Sequence, residues 1–232
     1  MANDVSLPST WELMKQGRFE AAYKNLNEHL VGNTNLDIHV LGNRALCLLN
    51  LNHPEDALLD FQRYNVIRPE SEWGYIGAGI SLWWLDRKLE AIEVWKNALY
   101  TKYTDAAGGV KIPAILYFGA IQVADNKLQK ETIEIMKKRQ KTKPASAWPG
   151  PIASFLLKII TKEEFLDIAS QNQKLKTRRV TQANFWVAVF YYSQNEMGKY
   201  FYYLEKAQNG HLLESEYYLA KYEFSKLNEN NN

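Results

Sequence analysis

Along the first hundred residues, small and large apolar side chains recur in a fixed order between polar stretches. Phe19-Glu20-Ala21-Ala22 leads to Leu26 and Leu30; His53-Pro54-Glu55-Asp56-Ala57 leads to Phe61 and then Pro69; Leu89-Glu90-Ala91 leads to Trp95, Ala98 and Leu99. Spacings of three and four place these side chains on one face of a helix. The alanines at 22, 57 and 91 are 35 and 34 residues apart. A period of that length predicts stacked helical units, each too small to bury its apolar face alone.

The order small, then large apolar four residues on, then small or apolar three further, resembles the tetratricopeptide repeat. The resemblance implies an all-α fold: an α-solenoid of antiparallel helix pairs. In that family the alanine heads the second helix of a pair, where the first crosses too closely for a larger side chain. Gly17, Asn52 and Asp86 then fall at the turns inside each pair, where a left-handed or locally hydrogen-bonded backbone is wanted. Ala45 and Gly79, twelve residues before Ala57 and Ala91, fall at the close-contact position of the first helices. Three regular units are expected over residues 7 to 103.

A fourth, degenerate unit follows, with Pro113 in a first helical turn, Gly119 at the small position, Asp125-Asn126 as the turn, and Ile135 at the large apolar position. Glu131 stands where the alanine belongs. Residues 104 to 109, Thr-Asp-Ala-Ala-Gly-Gly, lengthen the spacing and read as a bend or mobile loop. Pro144 to Pro151 carries three prolines and a glycine and breaks the register. A short helix over 155 to 159 is expected next, then a capping box at Thr161 and Glu164, and a helix pair over 184 to 194 and 197 to 207. In that pair Tyr200 takes the alanine position. A last helix, 215 to 227, should cover the open apolar end of the stack, and the tail from Asn228 should fray. The chain thus divides into an array over 1–143 and a helical module over 144–232, continuous as one superhelical domain.

Ala147-Trp148-Pro149-Gly150-Pro151-Ile152 with Phe155-Leu156-Leu157, then Asn184-Phe185-Trp186 and Glu214-Ser215-Glu216-Tyr217-Tyr218, is similar to the C-terminal half of new-lipoprotein-I-like proteins, bacterial tetratricopeptide adaptors. The resemblance spans residues 147 to 227. It implies an adaptor role, since members of that group bring proteases and cell-wall hydrolases together in the periplasm. This chain departs from them in having neither a signal peptide nor a lipidated cysteine near its start, and a cytoplasmic location is expected instead.

Composition narrows the functions further. With 28 basic and 26 acidic residues, the overall charge directs the chain towards neither nucleic acid nor an anionic membrane. Cys47, the single cysteine, lies in the apolar run Ala45 to Leu51 and reads as a buried, inert thiol. The four histidines, at 29, 39, 53 and 211, have no metal-ligand spacing. No phosphate-binding, dinucleotide-binding or nucleophile-elbow motif occurs. Gly74, Gly77 and Gly79 follow no strand and read as packing positions on a helix. Neither a cofactor nor a metal is expected, and no nucleophile, base and oxyanion site can be assembled, so catalysis is not expected.

What remains is recognition of a protein or peptide. In the expected superhelix the first helix of each pair lines the concave face. That register puts Trp11, Trp73, Ile76, Ile80, Trp83, Tyr117, Trp186 and Tyr192 on or near a groove, and aromatic anchors dominate binding energy. Two basic clusters, Lys137, Lys138, Arg139, Lys141 and Lys143, and then Lys174, Lys176, Arg178 and Arg179, read first as solvated surface and second as contacts for an acidic protein. Asn43 falls where some tetratricopeptide proteins clamp a terminal carboxylate, but Gly42, Ile76 and Gly77 are wrong neighbours for a clamp. The expected function is an adaptor or scaffold. The alternative is a bacterial immunity protein or inhibitor that occludes a cognate toxin or enzyme.

Overall fold

The computed structural model describes residues 9–32, 37–101 and 109–230; of the expected bend at 104 to 109, all but Gly109 lie outside them. Among the described residues there are thirteen α-helices, two short 3-10 turns and no strand. The first eight helices form four antiparallel pairs. These are α1 (Thr10–Lys15) with α2 (Phe19–Gly32), α3 (Ile38–Asn50) with α4 (Pro54–Ile67), α5 (Glu72–Trp84) with α6 (Lys88–Asn97), and α7 (Lys111–Gln122) with α8 (Asn126–Gln140). Then come α9 (Gly150–Leu156), α10 (Lys162–Ser170), the pair α11 (Lys176–Ser193) and α12 (Met197–Gln208), and α13 (Ser215–Asn230). This is a tetratricopeptide-like α-solenoid.

The turns inside the pairs follow the sequence. Gly17, Asn52, Asp86 and Asn195 all have positive φ, between 58° and 74°. In each case the N–H of the residue immediately before the next helix bonds back to the last turn, as in Arg87 to the carbonyl of Leu82 at 3.0 Å. Five residues after these turns stand Ala22, Ala57, Ala91 and Tyr200, all buried, and four further on Leu26, Phe61, Trp95 and Leu204. Tightness at the crossing is plain at Gly79, where a Cβ would collide with the indole of Trp95. A Cβ at Gly74 would likewise collide with Asn65 and Tyr64, and one at Gly77 with the Phe61 ring.

Three expectations need correcting. In the fourth unit the left-handed residue is Ala124, with φ of 57°, and Asp125 caps α8 by accepting the N–H of Leu128 at 2.9 Å. Helix α8 consequently buries Leu128, Thr132 and Met136, leaving Glu131 exposed and Ile135 half-buried. The helix expected at 155 to 159 starts at Gly150 instead, because Pro151 sits in its first turn, where a missing N–H costs nothing. Helix α11 also begins earlier, at Lys176. The capping box at Thr161 and Glu164 forms with both of its bonds, at 2.7 and 3.2 Å.

The fourth correction concerns the last helix, which does more than cover an end. Helix α13 packs on α12 and α11 and also returns to α5. Trp83 Nε1 donates to Glu223 at 2.7 Å, Trp84 Nε1 to the carbonyl of Tyr218 at 3.0 Å, and Asn50 Nδ2 to the Tyr218 hydroxyl at 2.7 Å. Tyr222 donates to Asp86 at 3.0 Å. In the turn at 209–214, Leu212 lies against Gly17, and Leu212 and Leu213 join the N-terminal cluster of Met14, Phe19 and Leu26. The solenoid is therefore closed, its last turn and helix laid along the inner side of its first three pairs. At the centre Trp95, Trp83, Phe118, Phe185 and Trp186 form a chain of ring contacts 5.0 to 5.4 Å apart that joins α6, α5, α7 and α11.

Candidate protein-binding cleft

Closure leaves one part of the concave side open. On α3, Ile38, Gly42 and Leu46 repeat every four residues, with His39 and Asn43 beside them. On α5, Trp73, Ile76, Gly77 and Ile80 follow the same rule. Opposite stand Trp11 of α1, Arg178 in the first turn of α11, and Leu213 and Glu214 of the closing turn. They enclose two clefts of about 140 and 330 Å³ that share Leu46, Trp73, Arg178 and Leu213 as lining. Gly42 shapes the floor. A Cβ there would lie 2.6 Å from the Trp73 ring, so only glycine lets the indole settle onto α3. Phe61 and Tyr64 brace the same ring at 5.4 and 5.0 Å.

The charges are sorted by depth. Glu214 is buried, accepts from Arg178 Nε and from Gln182 Nε2 at 2.7 Å, and lies 3.6 Å from His211 Nδ1. Burial holds the His211 imidazole below its usual pKa, against the opposing pull of Glu214. Glu216, also buried, accepts from Trp186 Nε1 at 3.2 Å and Ser215 Oγ at 2.8 Å, with Lys111 Nζ at 3.7 Å. The carboxylates face inward and their cations outward: side-chain exposure is 4% for Glu214 against 52% for Arg178, and 1% for Glu216 against 19% for Lys111.

The seven tryptophans divide along the same line. Trp83, Trp84, Trp95, Trp148 and Trp186 each donate their indole N–H to a protein acceptor. Trp11 and Trp73 have no acceptor among the described residues, and both line the cleft. A tryptophan in the interior normally finds a partner for its N–H, whereas one at a surface cleft can leave it to solvent or a ligand.

Of the eight groove residues expected from register, Trp11, Trp73, Ile76 and Ile80 line the cleft. Trp83 and Trp186 are fully buried beneath it, spent on Glu223 and Glu216. Tyr117 and Tyr192 are half-buried against the core and line neither cleft. The basic residues are dispersed in their bonding: Lys137 pairs with Glu134 at 2.7 Å, Arg139 donates to the carbonyl of Gly109, Arg179 lies over the Trp148 ring at 5.6 Å, and Lys138 is exposed. Arg178 alone of them reaches the cleft. Sequence reasoning passed over His39, Leu46 and Leu213; the pair Leu212-Leu213, apolar within an otherwise polar turn, was the available signal.

Cys47 is fully buried and its thiol is pushed up to about 12 by desolvation. Among the described residues no group of three metal-ligating side chains is placed to hold an ion, and no helix is long and apolar enough to cross a membrane.

Fold and cleft together define a closed tetratricopeptide-like solenoid with a mixed apolar and cationic recess on the concave side of its first three pairs. No family model matches the chain, and no curated protein matches it. A solved structure described as "Crystal structure of MamA" aligns over 97% of this chain and 99% of that one, with 14% identity and a TM-score of 0.49. A likeness that distant adds no weight to the fold, which rests on the helix pairs themselves.

Proposed function

We propose that the protein is a non-enzymatic scaffold that holds a segment of another protein in the cleft between α1, α3, α5 and the start of α11. The observation that carries this reading is the pair of indole N–H groups, on Trp11 and Trp73, without acceptors among the described residues at a recess where apolar side chains from two first helices converge. Trp11 is 46% exposed although it sits beside Ile38 and Trp73, an arrangement suited to closing over a ligand.

Site-specific photo-crosslinking tests it. A benzoylphenylalanine placed at His39, on the cleft rim, should trap a partner in cells of the native host. The same group at Val66, on the outer helix α4, should not. Trapping at Val66 alone, or at neither position, contradicts the reading. The number of proteins trapped at His39 separates an adaptor, with two or more, from an inhibitor, with one.

A further inference from the structure

We propose that the segment received by the cleft carries a carboxylate next to a bulky apolar side chain; this rests on the cleft being the binding site. The charges that line it and reach solvent are those of Arg178 and Lys111, while Glu214 and Glu216 are turned inward and already partnered. Arg178 is held ready for a second acid. It binds Glu214 through Nε, and its Nη1 and Nη2 make no hydrogen bond among the described residues. A guanidinium carries five N–H donors in a planar fork, so one edge can be fixed by an internal carboxylate while the other receives an external one. Gln182 fixes Glu214 in turn, at 2.7 Å. The arginine is thus preoriented, which lowers the entropic cost of binding.

The position of Arg178 sets the spacing in the ligand. It lines both recesses, and the larger one is walled by Trp11, Ile38 and Trp73. A side chain filling that recess and an acid on the free guanidinium edge must therefore be neighbours in the bound segment. The side-chain amide of Asn43 and the two indole N–H groups, all without hydrogen-bond partners among the described residues, add donors for its backbone carbonyls. A basic segment would instead meet Arg178 and Lys111 with no exposed acid among the described lining residues to offset them.

The test is selection from a random nine-residue peptide display library on the full chain, followed by fluorescence anisotropy with the selected peptide and with its Asp or Glu changed to the amide. Selected peptides should place an acid beside Leu, Phe, Tyr or Trp. Arg178→Gln should weaken the acidic peptide about tenfold and leave the amide peptide unchanged, the effect of one charge-assisted hydrogen bond. His39→Glu and His39→Lys, on the exposed rim where folding is not at stake, should shift affinity about threefold in opposite directions, weaker and tighter. No binders, binders without an acid, or equal losses for both peptides on Arg178→Gln would overturn the inference. A partner trapped at His39 through a basic or uncharged segment would overturn it too, while leaving the cleft assignment standing.

Discussion

Trp73 and Trp83 lie ten residues apart on the same helix, and both were expected on the groove from their register, yet they have opposite fates. Trp83 is fully buried, stacked against Trp95 and Phe118, with its N–H on Glu223. Trp73 is half-buried on a glycine floor, with no acceptor for its N–H among the described residues. The difference comes from α13, which returns along the C-terminal end of α5 and leaves the N-terminal end uncovered. A solenoid that closes on itself uses part of its concave face as core and leaves the rest open, here as the proposed binding cleft. The polarity of each indole N–H reports which part is which.

Substitutions can separate the two regions. The largest effect should be at Trp83→Ala, which empties the central aromatic chain and removes one of the two hydrogen bonds to Glu223; about 3–5 kcal/mol of stability should be lost in urea unfolding. A loss under about 1 kcal/mol would mean that closure by α13 contributes little. Tyr218→Phe removes only the tie to Asn50, and about 0.5–1.5 kcal/mol should go with it, read from the same urea midpoint.

Glu223→Gln should change the pH dependence. Burial holds the Glu223 carboxyl above its ordinary value of 4.5, against hydrogen bonds from Trp83 and Tyr200 and the nearby Lys88. Its protonated form is therefore favoured in the folded state, so its contribution is complete below the unfolded pKa and is lost as pH rises through the folded one. The glutamine variant, which cannot ionise, should gain on the wild type in thermal stability as pH rises above 4.5. A constant difference from pH 4 to 8 would show that ionisation is not what burial opposes, pH values bracketing the ordinary carboxylate range. The smallest effect on stability should be at Trp11→Ala, within about 0.5 kcal/mol, although partner trapping through His39 should fall sharply.

Much of the fold was legible because the repeat is local. Each left-handed turn at Gly17, Asn52 and Asp86 is set by its own residue and announces an alanine five positions later. The slip at Thr132 was less legible, since Ala124 is an unusual left-handed residue and Asp125 looks like a turn residue when it is a helix cap. Closure was illegible in principle: Trp83 and Glu223 are 140 residues apart, and nothing in the period specifies where α13 goes. Trp83 and Trp186 of the expected groove consequently became interior, while Leu213 and Arg178, brought in by the same closure, became walls of the cleft.

Five indoles donate to acceptors within the protein, and we propose that Trp11 and Trp73 keep theirs for a ligand. Indole N–H hydrogen exchange on uniformly nitrogen-15-labelled protein measures this directly, with the cleft resonances assigned by Trp11→Phe and Trp73→Phe. Trp11 and Trp73 should exchange fastest and should be the indoles that shift on addition of the selected peptide, with Trp83, Trp84, Trp95, Trp148 and Trp186 protected. Protection of Trp11 and Trp73 equal to that of Trp83 and Trp186, or peptide-induced shifts confined to the buried indoles, would contradict the account.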